Sequence, residues 1–274
     1  VAVIDQYAVM GNPVIHSKSP RIHAAFAQQT GQQLQYSTLL VEPETFAARV
    51  QDFFSAGGKG LNITVPFKQE ACVLASILSP AAGIAGAVNT LVLDADGRLH
   101  GHNTDGIGLV QDILHNHGGK LAQASVLILG AGGATRGILQ PLLQQQPSFI
   151  CIANRTVSKA AELASMFTQH GQVQACTYEQ LSGQSFDWVI NATSASLHDE
   201  LPPLPHQLLN PNAWCYDLMY SKEPTIFLRW AQQHGAVKII DGLGMLVEQA
   251  AESFWIWRGV RPLTLTVLEA LRNA

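Results

Sequence analysis

Short apolar runs alternate along the chain with longer helical segments, and that rhythm predicts strands alternating with helices. In the first hundred residues, Tyr7–Gly11 reads as a strand closed by Gly-Asn-Pro. Ser19-Pro20 then supplies an N-cap and a proline at N1 for a helix over Arg21–Gln29 that stops at Gly31. Gln35–Val41 is a second strand, and Pro43-Glu44 opens a helix running to about Ala56. Gly60–Val65 is a third strand, ended by Pro66 because proline cannot donate to a ladder. Val88–Leu93 is a fourth, followed by the hairpin signal Asp94–Gly97.

A second alternation starts near Asp105. A helix is expected over Gly106–Asn116, and Ser125–Leu129 is a continuous apolar run of the kind buried on both faces. Gly130-Ala131-Gly132-Gly133-Ala134 leads into a helix reaching about Gln145. Phe149–Ala153, Phe186–Asn191, Trp214–Leu218 and Val237–Ile240 are further strands, with helices over Thr156–Thr168 and Pro224–His234. Strand–helix–strand units repeated in this way imply a parallel, doubly wound sheet. Met245–Ala274 is helical and strand-free, and is expected to leave this sheet and pack back on the first domain.

Composition narrows the function classes. Of 274 residues, 47% are hydrophobic and 13% charged, enough to fill two cores. The net charge of -4 argues against nucleic-acid binding. No apolar run approaches the ~20 residues a membrane-spanning helix needs. Val1-Ala-Val-Ile-Asp lacks a basic stretch before an apolar one, so no secretory signal is expected. Cys72, Cys151, Cys176 and Cys215 are scattered and read as free thiols of a cytoplasmic protein. His100, His102, His115 and His117 lack the spacing of a metal-binding helix, and no metal is expected.

The glycine turn carries the first chemistry. Placed between a strand and a helix, Gly130 and Gly132 let the backbone approach a pyrophosphate at a helix N-terminus. The third position of G-x-G-x-x-G is Thr135, so the motif is altered. A site for NAD carries an acidic residue at the end of the next strand. Here Asn154-Arg155-Thr156 stands there, with Lys159 one turn on. Two cations suit a 2′-phosphate and favour NADP(H) over NAD(H).

Three N-terminal motifs are polar where a plain loop needs no such groups. His16-Ser17-Lys18-Ser19-Pro20 sets hydroxyls before a helix N-terminus, which suits a carboxylate and equally suits a simple cap. Asn62 and Thr64 are expected on one face of a strand, with Lys68 just beyond it. Asn89-Thr90 and Asn103-Thr104-Asp105-Gly106 complete the set, with Asp105 at the junction of the two expected domains. Ketone reduction needs a proton partner beside the hydride path, and a lysine near a carboxylate supplies one.

HSKSP, NITVPFK, AGAVNT, GHNTDG, GAGGATRG, NRT, NATSAS and DGLGMLVEQAA, in that order, resemble shikimate dehydrogenases from about Tyr7 to the C-terminus. The resemblance implies NADP-dependent, reversible reduction of 3-dehydroshikimate to shikimate in aromatic amino-acid biosynthesis, on the chorismate pathway. It makes Lys68 the catalytic acid/base and Asp105 its partner, both also touching substrate. It assigns Ser17, Ser19, Asn62, Thr64, Asn89, Tyr220 and Gln249 to the substrate. It assigns Gly130, Ala131, Gly132, Gly133, Ala134, Asn154, Arg155, Thr156, Lys159, Leu218 and Gly242 to the cofactor. The chain departs from the family at Ala195-Ser196, where a glycine is usual nearby, at Thr225-Ile226 for Thr-Pro, and at Lys159 for arginine.

The fold class expected is therefore α/β, in three stretches. Residues 1–105 form a substrate-binding, catalytic domain, 106–243 a Rossmann-like NADP domain, and 244–274 the helices that return to the first. A small-molecule substrate is the expected partner. Oligomeric state is open, with a homodimer the assembly to test. A broader quinate/shikimate dehydrogenase and a non-catalytic NADP-binding sensor are the rival readings. Intact Lys68 and Asp105 argue against the second.

Overall fold

The computed structural model describes residues 4–273, so the reading of Val1–Val3 and the helical assignment of Ala274 lie outside the described residues. The chain divides into two compact units, one of residues 1–108 with 247–274 and one of residues 109–246.

The first unit is built on a six-stranded sheet of β1 (Asp5–Gly11), β2 (Leu34–Leu40), β3 (Gly60–Ile63), β4 (Ile77–Leu78), β5 (Thr90–Leu93) and β6 (Leu99–His102). Its order is β2-β1-β3-β5-β6-β4, mixed because β5 runs antiparallel to both β3 and β6. Helices α1 (Ser19–Thr30), α2 (Phe46–Ser55), α3 (Lys68–Leu74), α4 (Pro80–Ala85) and α5 (Asp105–Gln111) follow or separate the strands. Phe46 and Phe67 stack with ring centroids 4.6 Å apart in a core with Met10, Leu61, Ile63 and Leu91.

Several local expectations are corrected here. Ser19 is the first residue of α1 and Lys18 its N-cap; the helix starts one residue early, and Ser17 Oγ accepts from the Ser19 amide at 3.2 Å. The strand expected to Val65 ends at Ile63, so Thr64 is not on its face. The Thr64 amide still makes the last ladder bond, to the Met10 carbonyl at 2.9 Å, and its carbonyl accepts from the Phe67 amide at 3.0 Å in the turn that leads to α3.

The second unit holds β7 (Ser125–Leu129), β8 (Phe149–Ala153), β9 (Val173–Cys176), β10 (Phe186–Asn191), β11 (Leu209–Asp217) and β12 (Lys238–Ile240). Every pairing is parallel and the order is β12-β11-β10-β7-β8-β9. Counted from β7 this is the 3-2-1-4-5-6 order of doubly wound dinucleotide folds, reversing at β7. β7 is buried at all five positions, as its apolar run requires. The helices are α6 (Gly133–Leu143), α7 (Val157–Met166) and α8 (Ile226–Gln233). The helix expected over Gly106–Asn116 changes at Asp112 into a π-helical turn, Asp112–Asn116. Asp112 is fully buried and accepts from Tyr216 Oη at 2.7 Å and Asn116 Nδ2 at 2.8 Å.

Helix α9 (Leu243–Arg258) carries the chain back into the first unit, followed by α10 (Thr264–Arg272). There Arg258 pairs with Asp5, Trp257 Nε1 donates to the Leu91 carbonyl at 3.2 Å, and Arg21 Nη2 donates to the Ala270 carbonyl at 3.0 Å. The C-terminal helices thus pack on β1, β5 and α1. Among the described residues no helix is long and apolar enough to cross a membrane.

Candidate active site

In the first unit, the loop beyond β3 and the start of α5 bring Lys68 to Asp105. Lys68 is the first residue of α3 and Asp105 the first of α5. Lys68 Nζ donates to Asp105 Oδ2 at 2.5 Å, and the two side chains are 24% and 10% exposed. A carboxylate so far removed from water needs its partners. Asn89 Nδ2 supplies a second donor, 2.8 Å from Asp105 Oδ1. The Asp105 amide donates to Asn103 Oδ1, whose own amide bonds the Ala87 carbonyl at 3.0 Å. Both carboxylate oxygens and the backbone are therefore fixed, and the ammonium remains the more accessible partner.

Behind that pair lies a buried polar network. Asn89 Oδ1 accepts from the amide of Thr104 at 2.9 Å and from Thr90 Oγ1 at 2.9 Å. Asn62 Nδ2 reaches the Asn89 carbonyl, Thr90 Oγ1 and Ser253 Oγ, each at 3.1 Å. Asn62 Oδ1 accepts from Tyr36 Oη at 2.7 Å. Thr104 Oγ1 donates to Gln249 Oε1 at 3.4 Å, one turn before Ser253 on α9. Such a network is stable in a core only because its members satisfy one another.

The expected residues are thus distributed as follows. Lys68, Asp105, Asn62, Asn89 and Gln249 share this network. Ser17 and Ser19 sit together at the start of α1, Ser19 buried and Ser17 half-buried. Thr64 is half-buried, its methyl so close to Gly11 that a Cβ there would collide with it. Tyr220 belongs to the second unit, where burial pushes its hydroxyl above the ordinary phenol range. Tyr36 and Ser253 were not singled out from sequence, whereas Thr90 and Thr104 were read as part of the polar motifs around Asn89 and Asp105 but given no role of their own. A serine four residues after Gln249, on the same face of the helix, was the available signal for Ser253.

The second unit presents the glycine turn at the carboxyl end of β7. Gly130 has φ +100°, a backbone that favours glycine, and a Cβ there would press within 3.0 Å of Thr193 Cγ2. Gly132 caps α6 without any side-chain cap bond, and open space surrounds the Cβ positions of both Gly132 and Gly133. Exposed amides at a helix N-terminus beside open space are what a pyrophosphate requires. Ala131 and Ala134 flank them, half-buried and exposed. Beyond β8, Asn154 Nδ2 donates to the Thr156 carbonyl at 2.8 Å, Thr156 is the N-cap of α7, and Arg155 and Lys159 are exposed. Gly242 lies so close to Leu218 that a side chain would strike the Leu218 carbonyl, and its amide donates to the Met219 carbonyl at 3.0 Å. The residues present fit NADP: helix N-terminal amides beside open space for the diphosphate and two exposed cations for the 2′-phosphate.

Family models, curated proteins and solved structures all match the chain. Residues 9–91 match the family model described as shikimate dehydrogenase substrate binding domain, 111–198 that of shikimate / quinate 5-dehydrogenase, and 242–272 that of the shikimate 5'-dehydrogenase C-terminal domain. A protein of Cellvibrio japonicus named shikimate dehydrogenase (NADP(+)) is 60% identical over 98% of this chain and 97% of its own. An Ael1 enzyme from Pseudomonas putida has a similar structure, with TM-score 0.92 and 49% identity over 97% of this chain and 98% of that one. A shikimate 5-dehydrogenase from Thermus thermophilus, solved with NADP(H) and shikimate, gives TM-score 0.87 and 33% identity over 98% of this chain and 99% of that one.

Proposed function

The chain belongs to the shikimate dehydrogenase family, and from that premise we propose that it carries out the NADPH-dependent, reversible reduction of 3-dehydroshikimate to shikimate, with Lys68 as the proton donor. NADP(H), when bound, supplies or takes up the hydride. Reducing a ketone to an alcohol also requires one proton on the carbonyl oxygen, and in this reading the Lys68 ammonium gives it. Asp105 accepts one Lys68 proton in a hydrogen bond and so aims the ammonium, while its own orientation is held by Asn89. In the oxidative direction the same lysine takes the hydroxyl proton back.

Ser17 and Ser19 are proposed to take the substrate carboxylate near the α1 N-terminus. Asn62, Thr64, Asn89, Tyr220 and Gln249 are proposed for its hydroxyls. Gly130–Ala134 and the amides of α6 hold the diphosphate, Asn154, Arg155, Thr156 and Lys159 the adenosine side, and Leu218 and Gly242 line the nicotinamide side. Residues 1–105 with 244–274 act as the substrate part and 106–243 as the NADP part. A cytoplasmic enzyme working as a homodimer belongs to the same proposal. All four cysteines are free, in keeping with a reducing compartment.

The observation that carries the reading is the Lys68–Asp105 pair seated on Asn89. The test is an absorbance assay at the NADPH band with shikimate, repeated with quinate and with NAD(+). Rapid NADP-dependent oxidation of shikimate supports it, whereas NADP binding without turnover leaves a non-catalytic sensor.

A further inference from the structure

One buried carboxylate joins the turns that follow β10 and β11. Asp217, the last residue of β11, is fully buried. Its Oδ1 accepts from Asn191 Nδ2 and from the Met219 amide, both at 3.1 Å. Its Oδ2 accepts from Thr225 Oγ1 at 2.6 Å and from Ser196 Oγ at 2.7 Å. Three of these donors lie on a strand end, the adjoining turn or the N-cap of α8. Ser196 comes instead from the 3-10 turn Ala195–His198, beyond β10. Its Oγ also accepts from Asn191 Nδ2 at 3.1 Å, and Asn191 Oδ1 holds Thr193 Oγ1 at 2.7 Å.

Both tied turns touch the glycine residues of the dinucleotide site. Thr193 and the Ala192 carbonyl pack against Gly130, and Leu218 packs against Gly242. A continuous set of bonds thus runs from Thr193 through Asn191, Ser196 and Asp217 to Met219, along the carboxyl ends of β10 and β11, where a doubly wound sheet receives its ligand.

We propose that Ser196 is a positioning residue for the cofactor site, its hydroxyl locking the Thr193 and Leu218 turns together through Asp217. The inference rests on the functional reading above, because it takes NADP as the ligand of this site. Ser196 itself touches no reacting atom. Its loss removes one of four donors from a buried carboxylate and releases the 3-10 turn, so the two turns no longer hold one register beside the glycines. The consequence is weaker cofactor binding, with the substrate residues of the first unit untouched.

The experiment is calorimetric titration of NADP(+) into the unmodified protein, Ser196→Ala and Ser196→Thr, with kcat and both KM values measured in parallel. Threonine keeps the hydroxyl donor at Ser196, which is half-buried. Ser196→Ala should weaken NADP(+) binding about tenfold, the scale of a lost hydrogen bond to a charged group. KM for NADP(+) should rise in step, KM for shikimate should rise less because only Tyr220 of the proposed substrate residues adjoins these turns, and Ser196→Thr should restore binding. An alanine variant that binds NADP(+) as tightly as the unmodified protein, with only a lower melting temperature, overturns the proposal. So does a threonine variant as weak as alanine. If the alanine variant fails to fold, Ser196→Cys, which keeps the volume and lacks a strong donor, is read in the same way. An unmodified protein that binds NADP(+) without oxidising shikimate defeats the functional reading alone, because the Ser196 comparison is then still decided by the titration.

Discussion

Lys68 Nζ stands 2.5 Å from Asp105 Oδ2, although 37 positions separate the two residues in the chain. The contact is not made by those two residues alone. Asn89, just ahead of β5, grips the opposite carboxylate oxygen, and the Thr104 amide grips Asn89. The Lys68 ammonium, the proposed proton donor, is therefore aimed by a hydrogen-bonded frame of Asp105, Asn89 and the Thr104 amide.

That frame makes Asn89 consequential for rate. Asn89→Ala removes the donor to Asp105 Oδ1 and leaves Thr104 and Thr90 short of an acceptor. A displacement of about 1 Å at the reacting groups costs roughly a hundredfold, so kcat should fall by about ten- to a hundredfold. Steady-state kinetics with shikimate decide the matter. A variant with unchanged kcat and a raised KM would make Asn89 a binding group only.

Cofactor choice is expected to turn on Arg155. Arg155→Asp exchanges a cation for an anion beside the proposed 2′-phosphate position, while Lys159 keeps its charge. KM for NADP(+) should rise by about ten- to a hundredfold, the scale of a lost charge-assisted hydrogen bond. KM for NAD(+) should change little. Equal use of both dinucleotides by the unmodified protein would refute the assignment.

Stability in mild acid should report on His23. The ring stacks 4.2 Å from Tyr36, and burial pushes its pKa from 6.5 down to about 3, opposed only in part by Asn62. The unfolded chain takes up this proton below about 6.5, whereas the folded chain stays neutral until about 3. Stability from this group is therefore complete above 6.5 and is lost as the pH falls from there toward 3. The slope is at most about 1.4 kcal/mol per pH unit. Urea melts of the protein and of His23→Phe between pH 7 and pH 4.5 should diverge, the variant being the less pH-dependent. Parallel curves would locate the acid sensitivity elsewhere.

Close packing gives a prediction of a different kind. A Cβ on Gly60 would collide with the indole of Trp257, whose Nε1 is bonded to the Leu91 carbonyl. Gly60→Ala forces the ring off β3 and should cost about 1–3 kcal/mol, the usual scale of overpacking. Denaturant unfolding measures it, and a loss under ~0.5 kcal/mol would show that the C-terminal helix yields without strain.

Legibility in the sequence followed the range of the forces at each place. β7 and the glycine turn were readable because the apolar run Val126–Leu129 and a glycine cluster are local signals. β9 was not: Val-Gln-Ala-Cys is four residues on a sheet edge, and only its pairing with β8 makes it a strand. The two-residue β4 and the short helices α3 and α4 were missed for the same reason. The π-helical turn at Asp112 depends on Tyr216, 104 positions away, and no local pattern announces it. At the site, NITVPFK and NTDG pointed to Lys68 and Asp105, while Ser253 holds Asn62 from 191 positions away, a contact that no local pattern in α9 announces. Thr225 was read as a helix start, which it is, but its hydroxyl also donates to Asp217.

The measurement that bears most directly on the account is the kinetics of Lys68→Ala with shikimate and NADP(+). If Lys68 moves the proton, kcat should fall by about a hundred- to ten-thousandfold, with a much smaller change in the KM for shikimate. A variant that keeps its kcat and shows only a raised KM would contradict it, leaving Lys68 to hold the substrate and some other group to supply the proton.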